Sequence, residues 1–243
     1  MDTALAAPPA TGMPAAVAVP GSRRLGEVVA TVPGATAVLR AYGIDFCCRG
    51  DVSIGQAAAE HGLSVAFVEA RLRELGREIP EPAADAEPAV QIGYILSRFH
   101  EAHRRELPEL IELAKHVENV QHGHPALPTG LTTVLQRIAA ELEFHMRKEE
   151  QMLFPMMAAG GHPYIRNPIS CMRHDHDHHR DSMIALEGLI QGGIVLDDAC
   201  VSWRALAIGL RKLIDDLMAH IRYENEVLFA RFEADHTGAI AAA

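Results

Sequence analysis

No stretch of this 243-residue chain holds the run of about 18 apolar residues that a membrane-spanning helix requires, which argues against an integral membrane protein. Positive charge is also scarce. The 22 Lys and Arg face 32 Asp and Glu, a formal balance of −10, and a nucleic-acid binder that works by neutralising phosphates does not fit that composition. Aromatic residues make up only 5%, which favours helices over a β sandwich. Cysteine is limited to Cys47, Cys48, Cys171 and Cys200, with no Cys-x-x-Cys pair. Adjacent cysteines make a poor structural crosslink, so this is not a secreted disulfide framework, and a reducing cytoplasm is the expected location. What is plentiful is histidine: 14 residues, in a chain whose hydrophobic content of 49% is ordinary for a globular protein. Imidazole is the commonest side-chain ligand for a transition metal, so that surplus has to be placed.

Residues 1–22 are rich in Ala, Pro and Val, with Pro8, Pro9, Pro14 and Pro20 interrupting any apolar run, and read as a disordered tail. Residues 23–78 alternate short helical patterns with turns and form a small helical domain. Ser53 and Ser64 stand as N-caps, and Val65, Val68, Leu72 and Leu75 recur at helical spacing. A glycine-flanked loop, Tyr42 to Asp51, carries the Cys47-Cys48 pair, and a Pro, Ala and Glu-rich linker occupies 79–89. Four long helical patterns follow within 90–236, at about 90–120, 131–158, 168–190 and 198–234, the third with Asn167 as its cap and Pro168 as its first residue. Long helices joined by short Gly and Pro-containing breaks predict an all-α fold, an antiparallel four-helix bundle.

Within the second helix the buried stripe runs Leu131, Leu135, Ile138, Leu142, His145, Glu149, Met152, Met156; the fourth repeats it as Trp203, Leu206, Leu210, Leu213, Leu217, His220, Glu224, Val227. Burying an ionised carboxylate costs several kcal/mol unless a charge or metal compensates it, so two at matching core positions imply a purpose. The first helix carries Leu96, His100, His103, Leu107 and Leu110 on its stripe, and the third Ile169, Met172, His176, His179, Met183, Leu186 and Ile190. Phase does not choose within each histidine pair. A weak internal repeat helps: His145 follows His100 by 45 residues, His220 follows His176 by 44, and both second members continue His-x-x-x-Glu-x-x-x-Leu-Phe. His103 and His179 share a similar offset and rank second.

Residues four apart on a helix face the same way, so each His-x-x-x-Glu pair presents a nitrogen and an oxygen to one cavity. Four imidazoles with two carboxylates able to bridge describe a dinuclear site. That donor set suits iron or manganese and admits zinc, but not the all-oxygen shell of calcium or magnesium, and bridging Glu with a redox purpose favours iron. Ferritin-like bundles, which use Glu-x-x-His, match less well. Glu141, one turn before His145, and Asp175, beside His176, are candidates to orient a ligand, together with His103 and His179. Cys47 and Cys48 read as a thiol pair with Arg49 nearby to favour the thiolate, and as a possible dimer contact. Six histidines, His116 among them, have no assignable partner, and His174 and His178 lie off the stripe.

His100, His145-x-x-x-Glu149, His176 and His220-x-x-x-Glu224 on four helices resemble the hemerythrin-like di-iron bundle. The preceding Gly43-Ile44-Asp45-Phe46-Cys47-Cys48 is similar to the N-terminal domain of the repair-of-iron-centres family, and the run from His145 to Pro155 looks like that family's most recognisable stretch. The resemblance covers nearly everything from Leu25 to about Glu233. It implies a cytoplasmic protein with a non-haem centre of two iron ions that restores iron-sulfur clusters damaged by oxidative and nitrosative stress, with iron-sulfur proteins as clients and donation of iron as the means. It also implies the ligand set His100, His145, Glu149, His176, His220 and Glu224. One departure is Arg49, where the family's loop usually continues Cys-Cys-Gly-Gly. Two competing functions stand beside repair: a di-iron nitric oxide or peroxide reductase, marked by steady turnover with an electron donor, and a gas sensor or carrier, marked by reversible oxygen binding without iron transfer.

Overall fold

The computed structural model describes residues 20–47, 49–76, 79–124, 127, 130–191 and 200–234. Most of the expected tail, together with Cys48 and His236, lies outside these. Among the described residues the structure is built from helices, and the one extended contact is an isolated antiparallel bridge between Arg24 and Ser53.

Four short helices come first: α1 (Leu25–Val29), α2 (Ala35–Ala41), α3 (Ile54–Glu60) and α4 (Val65–Leu75). Ser53 and Ser64 cap α3 and α4, each hydroxyl oxygen accepting a backbone N–H at 3.1 Å, from Gln56 and Phe67. A cap of this kind contributes about 1 kcal/mol by satisfying a donor that the first turn leaves unpaired. The Cys47 loop then returns against α1, where the Gly26 N–H donates to the Gly50 carbonyl at 2.8 Å. A Cβ at Gly50 would come within 3.2 Å of Val201 Cγ2, so the loop's close approach to the fourth bundle helix favours a residue without one.

The bundle follows. Its first helix is α5 (Pro88–Ile95) and α6 (Glu101–Val120), joined through a π turn at Leu96–His100. The second is α7 (Leu131–Lys148) and α8 (Phe154–Ala158) with a π turn at Glu149–Leu153, and the third is the uninterrupted α9 (Arg166–Gln191). The fourth is α10 (Val201–Tyr223) and α11 (Phe229–Ala234) with a π turn at Glu224–Leu228. Helices α6, α7, α9 and α10 pack in a closed ring, and the expected antiparallel bundle is present. The α6–α10 crossing is close enough that a Cβ at Gly209 would meet Leu110 Cδ2 at 2.5 Å.

Four expectations need correction. Helix α9 begins at Arg166, so Asn167 lies inside the helix and is not its cap. Pro168 is tolerated there because a helix's first turn has no use for its N–H. The stripe predicted through Met152 and Met156 runs instead through Leu153, Phe154 and Met157, with Met152 52% exposed. Likewise Leu228 and not Val227 is fully buried, and Ile95 and not Leu96. In all three helices the shift is one residue and falls at the π turn, which absorbs one residue beyond the α-helical count.

The apolar interior falls into two clusters. One joins α1–α4 to the far half of the bundle, including Leu39, Phe46, Leu113, Leu142, Trp203 and Leu217; the other fills the near half with Ile95, Phe99, Phe154, Met172, Tyr223 and Phe229. Between them lies a layer of buried polar side chains.

Candidate metal centre

That layer contains His100, His103, His145, Glu149, His176, His179, His220 and Glu224, all under 5% exposed. Each π turn abuts it: the first ends on His100, and the other two begin on Glu149 and Glu224. π turns recur at functional sites because the widened turn re-aims a side chain without breaking the helix.

Six of these residues converge. Ligand atoms of His100, Glu149, His220 and Glu224 lie within 4.8 Å of one another, and so do those of His145, Glu149, His176 and Glu224. Both carboxylates belong to both groups. Glu149 Oε2 is 3.4 Å from His100 Nε2 and 3.3 Å from His145 Nε2; Glu224 reaches His176 Nε2 at 3.1 Å and His220 Nε2 at 3.0 Å. Despite those approaches, both oxygens of both glutamates, His100 Nε2 and both ring nitrogens of His220 make no hydrogen bond. Buried polar atoms are nearly always paired, and leaving this many unpaired costs more than a fold tolerates without compensation. His145 Nε2 and His176 Nε2 meet at 3.2 Å, whereas the unpaired donors point at shared space and not along one another's hydrogen-bond directions, which is how ligands around a cation are arranged.

The outward nitrogens of three of the four imidazoles are held. His100 Nδ1 pairs with Glu150 Oε1 at 2.7 Å, and Arg104 fixes that carboxylate at 2.7 and 3.2 Å. His145 Nδ1 lies 3.3 Å from Asp175 Oδ2, which also pairs with Lys148. His176 Nδ1 lies 3.0 Å from Asn225 Oδ1. Such partners fix ring orientation and direct the other nitrogen inward. Aromatic rings pack on the imidazoles: Phe99 stacks on His220 at 4.9 Å, while Phe154 on His100 and Phe229 on His176 are each at 5.7 Å. Phe154 and Phe229 are the equivalent members of the sequence repeat, so that repeat is visible as an approximate two-fold arrangement of the site.

Electrostatics follow from burial and crowding. Burial alone would lower His145, yet the Glu149 carboxylate and the Asp175 hydrogen bond raise it to about 10. His100 is also raised against burial, by Glu149. Burial drives His220 far down, helped by the positive charge of His100. Glu149 and Glu224 stay below the ordinary carboxylate range, although burial and, for Glu149, the neighbouring carboxylate oppose it, because imidazoles surround them.

The remaining candidates sit around this group. His103 and His179 are outside both ligand groups; their rings lie 5.5 Å from His220 and 5.0 Å from His145, and the Nε2 of each has no hydrogen-bond partner. Burial holds both well on the neutral side, His179 at about 4. Asp175 touches His145 across the helix interface and not its neighbour His176. Glu141 is exposed, 3.9 Å from Arg137, and lines an open groove with Lys148, Asp175 and His179. Arg49 pairs with Glu60, with hydrogen bonds at 2.5 and 3.0 Å, so its guanidinium is engaged on α3. Sequence reasoning missed Glu150, Arg104, Lys148 and Asn225. Glu150 and Asn225 directly follow Glu149 and Glu224, and the π turns bring them to the ligand rings, a displacement that an α-helical wheel does not contain.

Residues 91–232 match the hemerythrin HHE cation binding domain, and residues 21–76 match a domain described as of unknown function (DUF542). The chain is 42% identical over 210 residues to the iron-sulfur cluster repair protein YtfE of Dickeya chrysanthemi, covering 85% of this chain and 95% of that protein. It is 40% identical over 213 residues to a probable iron-sulfur cluster repair protein of Haemophilus influenzae, covering 86% and 96%. The corresponding protein of Musicola paradisiaca is 43% identical over 211 residues, covering 86% and 95%.

Proposed function

Because the chain belongs to the hemerythrin-like family of iron-sulfur cluster repair proteins, we propose that it holds two iron ions in the bundle core and restores damaged iron-sulfur clusters by supplying iron. His100 and His220 would hold one ion and His145 and His176 the other, with Glu149 and Glu224 common to both groups. The observation that carries this reading is the pair of four-residue groups sharing both carboxylates, whose four oxygens, with the Nε2 atoms of His100 and His220, are unpaired. Two carboxylates shared between neighbouring cations would lower the repulsion between them, and mixed imidazole and carboxylate donors suit ferrous iron. Ferrous iron held by these residues would be the metal that a damaged cluster lacks. Four neutral imidazoles and two carboxylates for two ions leave positions for exchange, which suits a donor better than a permanent store.

The protein's own part is to order the ligands and to manage protons. Glu150, Asp175 and Asn225 orient three of the four imidazoles, and the stacked Phe99, Phe154 and Phe229 exclude water from them. Protons held on His100 and His145 leave when a cation enters, so uptake releases protons and low pH favours release. Clients are iron-sulfur proteins, met in the reducing cytoplasm.

Metal analysis with Mössbauer spectroscopy on the purified protein tests the centre. Two irons per chain are expected, lost in Glu149→Leu or Glu224→Leu while helical content by circular dichroism persists; a single zinc would overturn it. Iron-loaded protein should restore activity to a nitric-oxide-treated cluster enzyme. Restoration by free ferrous iron at equal concentration, but not by the loaded protein, would reject the donor role.

A further inference from the structure

The Cys47 loop does not hold its thiol out to solvent. Cys47 Sγ lies 3.0 Å from His116 Nε2 on α6 and in hydrogen-bond contact with the Ser202 hydroxyl at the start of α10, so the sulfur meets two groups from two bundle helices. The loop is set for this contact by Asp45, whose Oδ1 accepts the Cys47 N–H at 2.9 Å. Ser202 is fully buried, whereas Cys47 is half-buried and lines an open cavity of about 260 Å³ with Arg40, Asp45, Phe46, Leu113, His116 and Ser202. The charged groups facing the pair are Asp45 and Arg40, the latter 3.5 Å from Glu109. Among the described residues, no third Cys, His, Asp or Glu completes a metal-ligand set with the pair.

We propose that Cys47 is a nucleophilic thiol, with His116 as its proton acceptor and Ser202 orienting the sulfur, and that its substrate class is a small disulfide admitted by the cavity. A sulfur–imidazole contact at hydrogen-bond distance moves the thiol proton to nitrogen, and a hydroxyl donating to the sulfur stabilises the thiolate so formed. The thiolate attacks one sulfur of the disulfide. A bond forms between Cys47 Sγ and that sulfur, the original sulfur–sulfur bond breaks, and the departing thiolate takes the proton from His116 to leave as a free thiol. Cys47 is thereby oxidised to a mixed disulfide and the departing sulfur is reduced; no other oxidant or reductant enters. Because His116 and Ser202 belong to the bundle and Cys47 to the N-terminal helices, the same step removes two polar links between them. This assignment does not depend on the metal content of the core.

The test uses the full-length chain carrying Cys48→Ser, so that the tryptic peptide Ala41–Arg49 reports one thiol and Cys171 and Cys200 fall on other peptides. Modification by glutathione disulfide and by iodoacetamide is followed by quantitative mass spectrometry from pH 5 to 9. Cys47 should react about tenfold or more faster at pH 7 than the exposed Cys171 in the same molecules, as a thiol paired with histidine does. His116→Ala and the isosteric His116→Gln should each slow Cys47 at pH 7 by about tenfold and move the midpoint of its pH profile toward that of a free cysteine. The His116→Gln variant keeps a polar side chain at the seam, and unchanged Cys171 reactivity with a cooperative melt verifies that each variant is folded. Equal rates at Cys47 and Cys171, or superimposable pH profiles in the parent and both His116 variants, would overturn the proposal.

Discussion

Asn225 touches no ligand atom that faces the cluster, yet it holds the Nδ1 of His176 at 3.0 Å and so decides where Nε2 points. Its role is separable from charge, unlike that of Glu150 or Asp175, each of which also anchors a cationic side chain across the helix seam. Asn225→Ala is therefore expected to weaken metal retention by about 10- to 100-fold without loss of helicity, measured by competition with a chelator. Unchanged retention would mean that packing against Phe229 alone orients His176. His103 and His179 show the opposite case, in which burial leaves a ring nitrogen without a partner and the imidazole stays neutral. Composition shows that histidine is abundant, but not which of its nitrogens are held from behind.

At the scale of the element, the three π turns are the feature that an amphipathic ladder does not contain. Steps of three and four locate His145 and Glu149 correctly on one face, because both precede the extra residue, and then misplace the following apolar positions by one. The same ladder on α9, which has no π turn, places Ile169, Met172, His176, His179, Met183, Leu186 and Ile190 on the buried face as expected. The extra residue is thus a local addition to an otherwise regular helix. Deleting the exposed Gln151 should return Glu149–Leu153 to α-helical winding while keeping Leu153, Phe154 and Met157 on the core face. The expected protein folds with near-normal helicity by circular dichroism but loses its metal, since Glu149 and Glu150 no longer sit at their present angles. Full metal content after the deletion would show that the π turn has no part in ligand placement.

Across the whole molecule, the metal layer is a polar seam between two apolar clusters, and its protons govern how the metal-free protein responds to pH. His179 in the folded chain is lowered to about 4 from an ordinary 6.5, by burial and by the nearby charges of His145 and His176. As pH falls through that window the unfolded chain binds a proton that the folded chain refuses, so stability drops, by on the order of 3 kcal/mol for this one group. His145 acts in the opposite window. Raised to about 10, it contributes stability that is complete below 6.5 and is lost as pH climbs toward its folded value. Metal-free protein is therefore expected to be most stable near pH 6.5, with a lower midpoint in urea unfolding at both pH 4.5 and pH 9. A stability that rises steadily with pH across that range would contradict the assignment of charge within the seam.

The sequence alone was enough for the all-helical bundle, for the capping serines of α3 and α4, and for placing His145, Glu149, His220 and Glu224 on buried helix faces, because these rest on local periodicity and on the high cost of burying carboxylates without compensation. Its repeat separated His100 and His176 from His103 and His179 only as a ranking, since all four lie on the same helical phase. Tertiary structure decided the rest. Glu150, Asp175 and Asn225 reach imidazoles on other helices, and Cys47 finds His116 and Ser202 at separations of 69 and 155 residues. Pairings of that kind depend on how helices cross and where one turn widens, and no spacing along a single chain carries that information.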